Sequence, residues 1–139
     1  MLKEILSISG KAGLFKLISQ GKNMYIVESL VDGKRIPVHS RDKVVALSDI
    51  AVYTESEEVP LTVVLNNIKI KESGAPVNVQ ANIQTVELCA YFELVLPNYD
   101  KNKVYPSDIR KIMNWYNILV NAGITNFEEK EKEKEEKLS

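Results

Sequence analysis

Between Gly13 and Thr54 the chain passes through a series of short β-branched and aromatic runs, each closed within a few residues by turn chemistry. The runs occupy 13–20, 24–31, 34–39, 43–47 and 50–54. Strands this short and this closely spaced can bury their apolar residues only in a small, strongly bent sheet or barrel. Several runs are apolar on both faces, which calls for other elements packed over them. The expectation is a small SH3/Tudor-like β-barrel at 1–56, followed by a C-terminal helical hairpin, in an α+β chain.

The turns set the pairing. Gln20-Gly-Lys-Asn23 reads as a turn between two extended runs, so 13–31 forms a hairpin. Leu14, Leu17 and Ile18 also fit a helix face, and helix, Gly-x-x-Gly, helix would imitate the clamp of a KH domain. The turn at 20–23 and the strand-like run after it argue against that reading. Asp32-Gly33 suits the positive φ angles of a two-residue turn, which pairs 25–31 with 34–38. Pro37 has no N–H to donate, so its strand belongs at an edge or a bulge. Ser48-Asp49 reads as one helical turn before the run at 50–54. At the N-terminus Leu2, Ile5 and Leu6 have helical spacing, and a short helical turn is expected there.

The second half reads as helical. Val59-Pro60 opens a helix at about 60–71 on the face Leu61, Val64, Leu65 and Ile68, with proline at its first position. With the linker after it, this segment bridges 57–84. Leu88, Phe92, Val95 and Leu96 share a face from about Thr85, and Pro97 stops that run. Ile109, Ile112, Met113, Tyr116, Leu119 and Val120 mark a third helix, with Ser107 as cap and Gly123 as C-terminal stop. These two helices make the hairpin at 85–127. From Glu128 to Lys137 every residue is Glu or Lys, so 128–139 is expected to be a disordered tail.

Composition excludes several classes. The formal net charge of -1 gives no global attraction to nucleic acid or to an anionic membrane, although the first half is mildly basic. A single cysteine, Cys89, excludes an internal disulfide and a cysteine-based zinc site. No apolar run approaches the roughly 20 residues of a membrane span, and the opening residues do not read as a signal peptide. The expected compartment is the cytoplasm.

Certain stretches carry a family signature: Met-Leu-Lys-Glu-Ile-Leu-Ser-Ile-Ser-Gly-Lys at 1–11, Ile-Val-Glu-Ser-Leu at 26–30, Lys-Arg-Ile-Pro at 34–37, Ile-Ala-Val-Tyr-Thr-Glu at 50–55 and Tyr-Pro-Ser-Asp-Ile at 105–109. In these the chain resembles a family of short Bacteroidetes proteins catalogued as a domain of unknown function. The resemblance runs to about Phe127. It implies a cytoplasmic bacterial protein, β-rich then helical, and carries over no activity and no catalytic residues.

His39-Ser-Arg-Asp42 brings a base, a hydroxyl and an acid together in sequence, but neighbours in a turning chain point apart, and a triad is a spatial object. No catalytic residue is assigned, no metal site and no cofactor, and the chain is read as a non-enzyme. Gly10-Lys-Ala-Gly13 lacks the phosphate-loop spacing and reads as a glycine turn. Cys89 reads as a buried, inert thiol. The sharper set is Phe15 and Tyr25, with Tyr53 nearby, interleaved with Lys16, Lys22, Arg35, Arg41 and Lys43. Small barrels use such surfaces to stack bases and pair with phosphates. The first expectation is therefore a non-catalytic binding module for RNA or DNA, or for a complex containing it. The alternative is a protein–protein adaptor using the helical half, with Trp115 as a partner anchor or as core.

Overall fold

The computed structural model describes residues 4–11, 13–39, 42–77, 84–125 and 127. Five antiparallel strands form one sheet: β1 (Ile5–Ile8), β2 (Phe15–Gly21), β3 (Met24–Ser29), β4 (Arg35–His39) and β5 (Val44–Ala46), in the order β4-β3-β2-β1-β5. A 3-10 turn, Leu47–Asp49, leads out to a separate two-stranded ribbon of β6 (Ala51–Tyr53) and β7 (Glu58–Pro60). Three helices follow: α1 (Leu61–Glu72), α2 (Thr85–Val95) and α3 (Pro106–Asn121).

The sheet curls without closing. Residues 40–43 join β4 to β5, the two outer strands. Even fully extended, the step from His39 to Val44 spans at most about 17 Å, whereas the outer strands of a flat sheet of this width would lie about 19 Å apart. A turn shortens the step further, because the Asp42 N–H donates to the His39 carbonyl at 2.9 Å. Curling lets one face fold over its own core of Leu6, Ile8, Phe15, Val27 and Val38. The ladder nevertheless runs from β4 to β5 without joining them, so the expected closed barrel is an open, curved sheet. The run at 50–54 leaves that sheet because β6 finds its partner in β7 instead, Val52 opposite Val59.

Local choices explain most of the pairing. Asn23, at φ 57°, takes the left-handed position of the β2–β3 turn, where asparagine is tolerated. Pro37 lies on β4, a sheet edge, as its missing N–H requires. The β3–β4 connection is longer than the expected two-residue turn. Only Gly33 of the Asp-Gly pair has positive φ, 74°, and its N–H donates to Ser29 at 2.9 Å, while Asp32 accepts from the Lys34 N–H at 2.9 Å. At the N-terminus the helical spacing of Ile5 and Leu6 yields to pairing: Ile5 lies opposite Lys16 and Leu6 opposite Phe15, so this segment is strand β1. Leu2 lies outside the described residues.

The helices form the second core. Leu61, Leu65 and Ile68 of α1, Phe92 of α2 and Ile109, Tyr116 and Leu119 of α3 are fully buried. Each such side chain contributes roughly 1.5–3 kcal/mol by leaving water. The expected two-helix hairpin is thus part of a three-helix cluster, with α1 packed on both partners. Ile5 and Leu14 enter this same core and fasten the sheet to it. Pro60 ends β7 and caps α1 rather than opening its first turn. The cap of α3 is Tyr105, not Ser107: the Asp108 carboxylate accepts from the Tyr105 N–H at 3.0 Å. Gly123, at φ 80°, closes the far end, where the Ile124 N–H reaches the Leu119 carbonyl. The tail 128–139 and residues 78–83 of the linker lie outside the described residues.

Candidate functional site

The bases expected to share one surface are dispersed by the sheet order. Arg35 is on β4 and Lys43 opens onto β5, at opposite ends of the ladder. Lys22 is in the turn between β2 and β3. Lys16 pairs across to Glu28 and Glu28 to Arg35, and the Arg35 Nε lies 3.2 Å from the Glu28 carboxylate. A carboxylate between two bases cancels one of their two positive charges. Phe15 is buried in the curled core, which withdraws its ring from any stacking role. Tyr25 and Tyr53 are exposed. Arg41 lies outside the described residues. His39 is exposed, and the Asp42 carboxylate accepts from its backbone N–H at 2.9 Å, so this acid serves the turn.

A different set of cations converges where the β1–β2 loop faces α3. A cleft of about 490 Å³ is bounded on the sheet side by Ser7, Ser9, Gly10, Lys11 and Gly13. On the helix side it is bounded by Ser107, Arg110, Lys111, Asn114, Trp115 and Ile118. Ile8 completes a lining that contains three cations, three hydroxyls, an amide and, among the described residues, no carboxylate. The sequence explains the geometry. Gly10 and Gly13, at φ 85° and 86°, turn the chain sharply between β1 and β2. Arg110, Lys111, Asn114 and Ile118 recur at helical spacing, so one side of α3 faces that loop.

Trp115 forms the floor. It is 8% exposed and packs in the helical core, with the Lys111 Nζ 5.9 Å from its ring centroid. A second opening of about 570 Å³ continues the cleft along α3 past Asn114, Ile118 and Asn121, beneath the β3–β4 loop at Val31, Asp32 and Lys34. Between Asn114 and Asn121 on this helix, Asn117 is committed to the fold. Its amide accepts from the Val77 N–H and donates to the Val77 carbonyl, both at 2.7 Å.

The displaced titrations lie in the helical core, away from the cleft. Burial raises Tyr91, with its hydroxyl donating to Glu72 at 2.6 Å, and burial raises Tyr116. Tyr99 is pushed up to about 12, first by burial and then by Cys89 beside it. Cys89 is half-buried rather than fully enclosed. Among the described residues no cluster of His, Cys, Asp and Glu could hold a metal ion, and no helix is long and apolar enough to cross a membrane.

Residues 2–47 match a domain of unknown function (DUF5606) and residues 50–119 a second one (DUF6852). The junction between them falls at the 3-10 turn that leaves the curled sheet. A Bacteroides vulgatus protein solved by solution NMR as a structural-genomics target is similar, with 56% identity over 91% of each chain and a TM-score of 0.75. No curated protein matches the chain.

Proposed function

The chain belongs to the Bacteroidetes family built from these two domains of unknown function, and on that premise we propose that it is a non-catalytic module binding single-stranded nucleic acid along α3. One observation carries the reading: Lys11 and Lys111 converge with Ser7, Ser9, Ser107 and Asn114 in a cleft that has no carboxylate among its described lining residues. Cations supply affinity for a phosphate backbone through counterion release, and hydroxyls and amides orient it. The cleft continues along the helix into an opening whose lining adds Lys34 and Asp32, which gives an extended strand room to follow α3. The net charge of -1 suits local capture in a cleft better than broad adhesion to a duplex. Titrating an unstructured oligonucleotide at rising salt tests this. Affinity should fall steeply and linearly on logarithmic axes; absence of binding at low salt would refute the reading.

A protein partner is the second reading, favoured by one feature of α2. Val86 and Leu94 are 76% and 69% exposed, with exposed Ala90 between them at helical spacing, which makes an apolar outer stripe. An adaptor working through that stripe would retain its partner after charge reversal in the α3 cleft and lose it on Val86→Asp with Leu94→Asp.

A further inference from the structure

Beside the basic cleft, between β6 and α3, lies a smaller cavity of about 210 Å³, walled mainly by Ile50, Val52, Val104, Ile112 and Trp115, with two lysines and the Asp108 carboxylate that caps α3 also in its lining. Lys111 and Trp115 belong to both cavities, so the two meet at these side chains. We infer that this apolar slot accepts one nucleobase of a strand whose phosphates lie in the cleft. The inference rests on the cleft holding a phosphate backbone and adds a base site to it.

The chemistry of the pair of cavities selects the occupant. A ligand filling both must carry an anion and a compact apolar group within one residue's reach of each other. A nucleotide does so, with a planar base whose faces are apolar and a phosphate a sugar away. A peptide supplies that pair only where an acidic residue neighbours an aromatic one, whereas every nucleotide supplies it, and a long acyl chain is larger than the slot. The walls of β-branched aliphatics and one indole suit the faces of a ring, and base contact with aromatic side chains tolerates any sequence. Lys111 spans the junction, with its ammonium 5.9 Å from the Trp115 ring centroid and positioned to meet the phosphate next to the base. At the opposite rim the Lys103 Nζ sits 5.0 Å over the Tyr53 ring, a second cation at the mouth.

Trp115 is the only tryptophan and lines both cavities, so its emission reports on the cleft and the slot together, and the comparison of two ligands separates them. The test compares the full chain at low salt with an unstructured single-stranded oligonucleotide and with an abasic deoxyribose-phosphate oligomer of equal length. Both should bind and weaken with salt. The base-containing strand should bind about tenfold more tightly and, at saturation, quench Trp115 more strongly than the abasic one. Equal affinities with equal quenching by the two oligomers would overturn the slot and leave the cleft standing. Failure of both oligomers to bind would overturn the cleft, and the slot with it. Ile50→Phe, at a half-buried wall position, should erase the preference for bases while leaving abasic affinity unaltered. A folded Ile50→Phe protein that keeps the preference would overturn the inference.

Discussion

Asn117→Ala should be among the most destabilising polar-to-apolar changes on α3. In the native fold the Asn117 Oδ1 accepts from the Val77 N–H and its Nδ2 donates to the Val77 carbonyl, both at 2.7 Å. Val77 is only 7% exposed, so water replaces neither bond well once the amide is gone. An unmade hydrogen bond at a buried backbone group costs about 1–3 kcal/mol. Two such groups near the low end of that range give about 2–4 kcal/mol in total. For a chain of this size the melting temperature should fall by roughly 10 °C. The neighbouring bond from the Tyr116 hydroxyl to the Ala75 carbonyl, at 2.9 Å, holds the same segment and limits the loss to local detachment plus its desolvation. Thermal and urea melts of the alanine variant measure the effect. Asn117→Asp is the sharper companion: it keeps the acceptor but sets an anion against the Val77 carbonyl, and at neutral pH it should be at least as damaging. An alanine variant as stable as the parent would refute the argument that this amide fastens 75–77 to α3.

Gly33→Val should destabilise the sheet by about 1–2 kcal/mol, because Gly33 has φ +74° while nothing lies within 4 Å of the position a Cβ would take. The strain is therefore conformational and not steric crowding, and Gly33→Asn should recover much of it in the same urea melt; equal losses would contradict this. Alkaline pH should weaken the helical core. Tyr99, Tyr91 and Tyr116 all have raised folded values, with Tyr99 at about 12. A raised value means the unfolded chain loses its phenolic proton first, so stability is full below the ordinary tyrosine value near about 10 and declines as pH rises through the folded values. A urea midpoint that stayed flat between about pH 9 and 11 would contradict the assignment.

Where one side chain or one local pattern decides an element, the sequence is enough. Proline at 37 requires an edge, and β4 is one. The apolar repeat from Ile109 to Leu119 requires a helix with one buried face, and those residues line the core. Closure of the sheet is not local in this sense. Runs such as 51–53 and 58–60 are too short to display a period, and only the pairing of Val52 with Val59 shows that β6 leaves the sheet. The helical spacing of Ile5 and Leu6 is likewise overridden by long-range pairing with β2.

The site is less legible than the fold, for a related reason. Lys11 stands about a hundred residues before Arg110 and Lys111, and only the packing of α3 against the β1–β2 loop unites them. The bases that cluster in sequence, Lys16, Arg35 and Lys43, are separated by strand order, and Glu28 lies between two of them. Phe15 reads like an exposed aromatic until strand alternation assigns it, with Leu17, to the curled core. One signal in the sequence is the Arg110–Lys111 pair on the polar side of an amphipathic helix. Another is the lysine between two turn glycines at 10–13.

The central claim, that nucleic acid lies along α3 and not on the exposed sheet, is tested most directly by paired charge reversals. Lys11→Glu with Lys111→Glu changes the cleft, and Lys16→Glu with Lys43→Glu changes the sheet by the same total charge. All four positions are exposed, so both proteins should fold. Oligonucleotide affinity as a function of salt should drop for the cleft pair, and its salt slope should flatten by about two, since each of the two lysines would otherwise neutralise one phosphate. The sheet pair should stay close to the parent. Equal losses from the two pairs, or a larger loss from the sheet pair, would contradict the account.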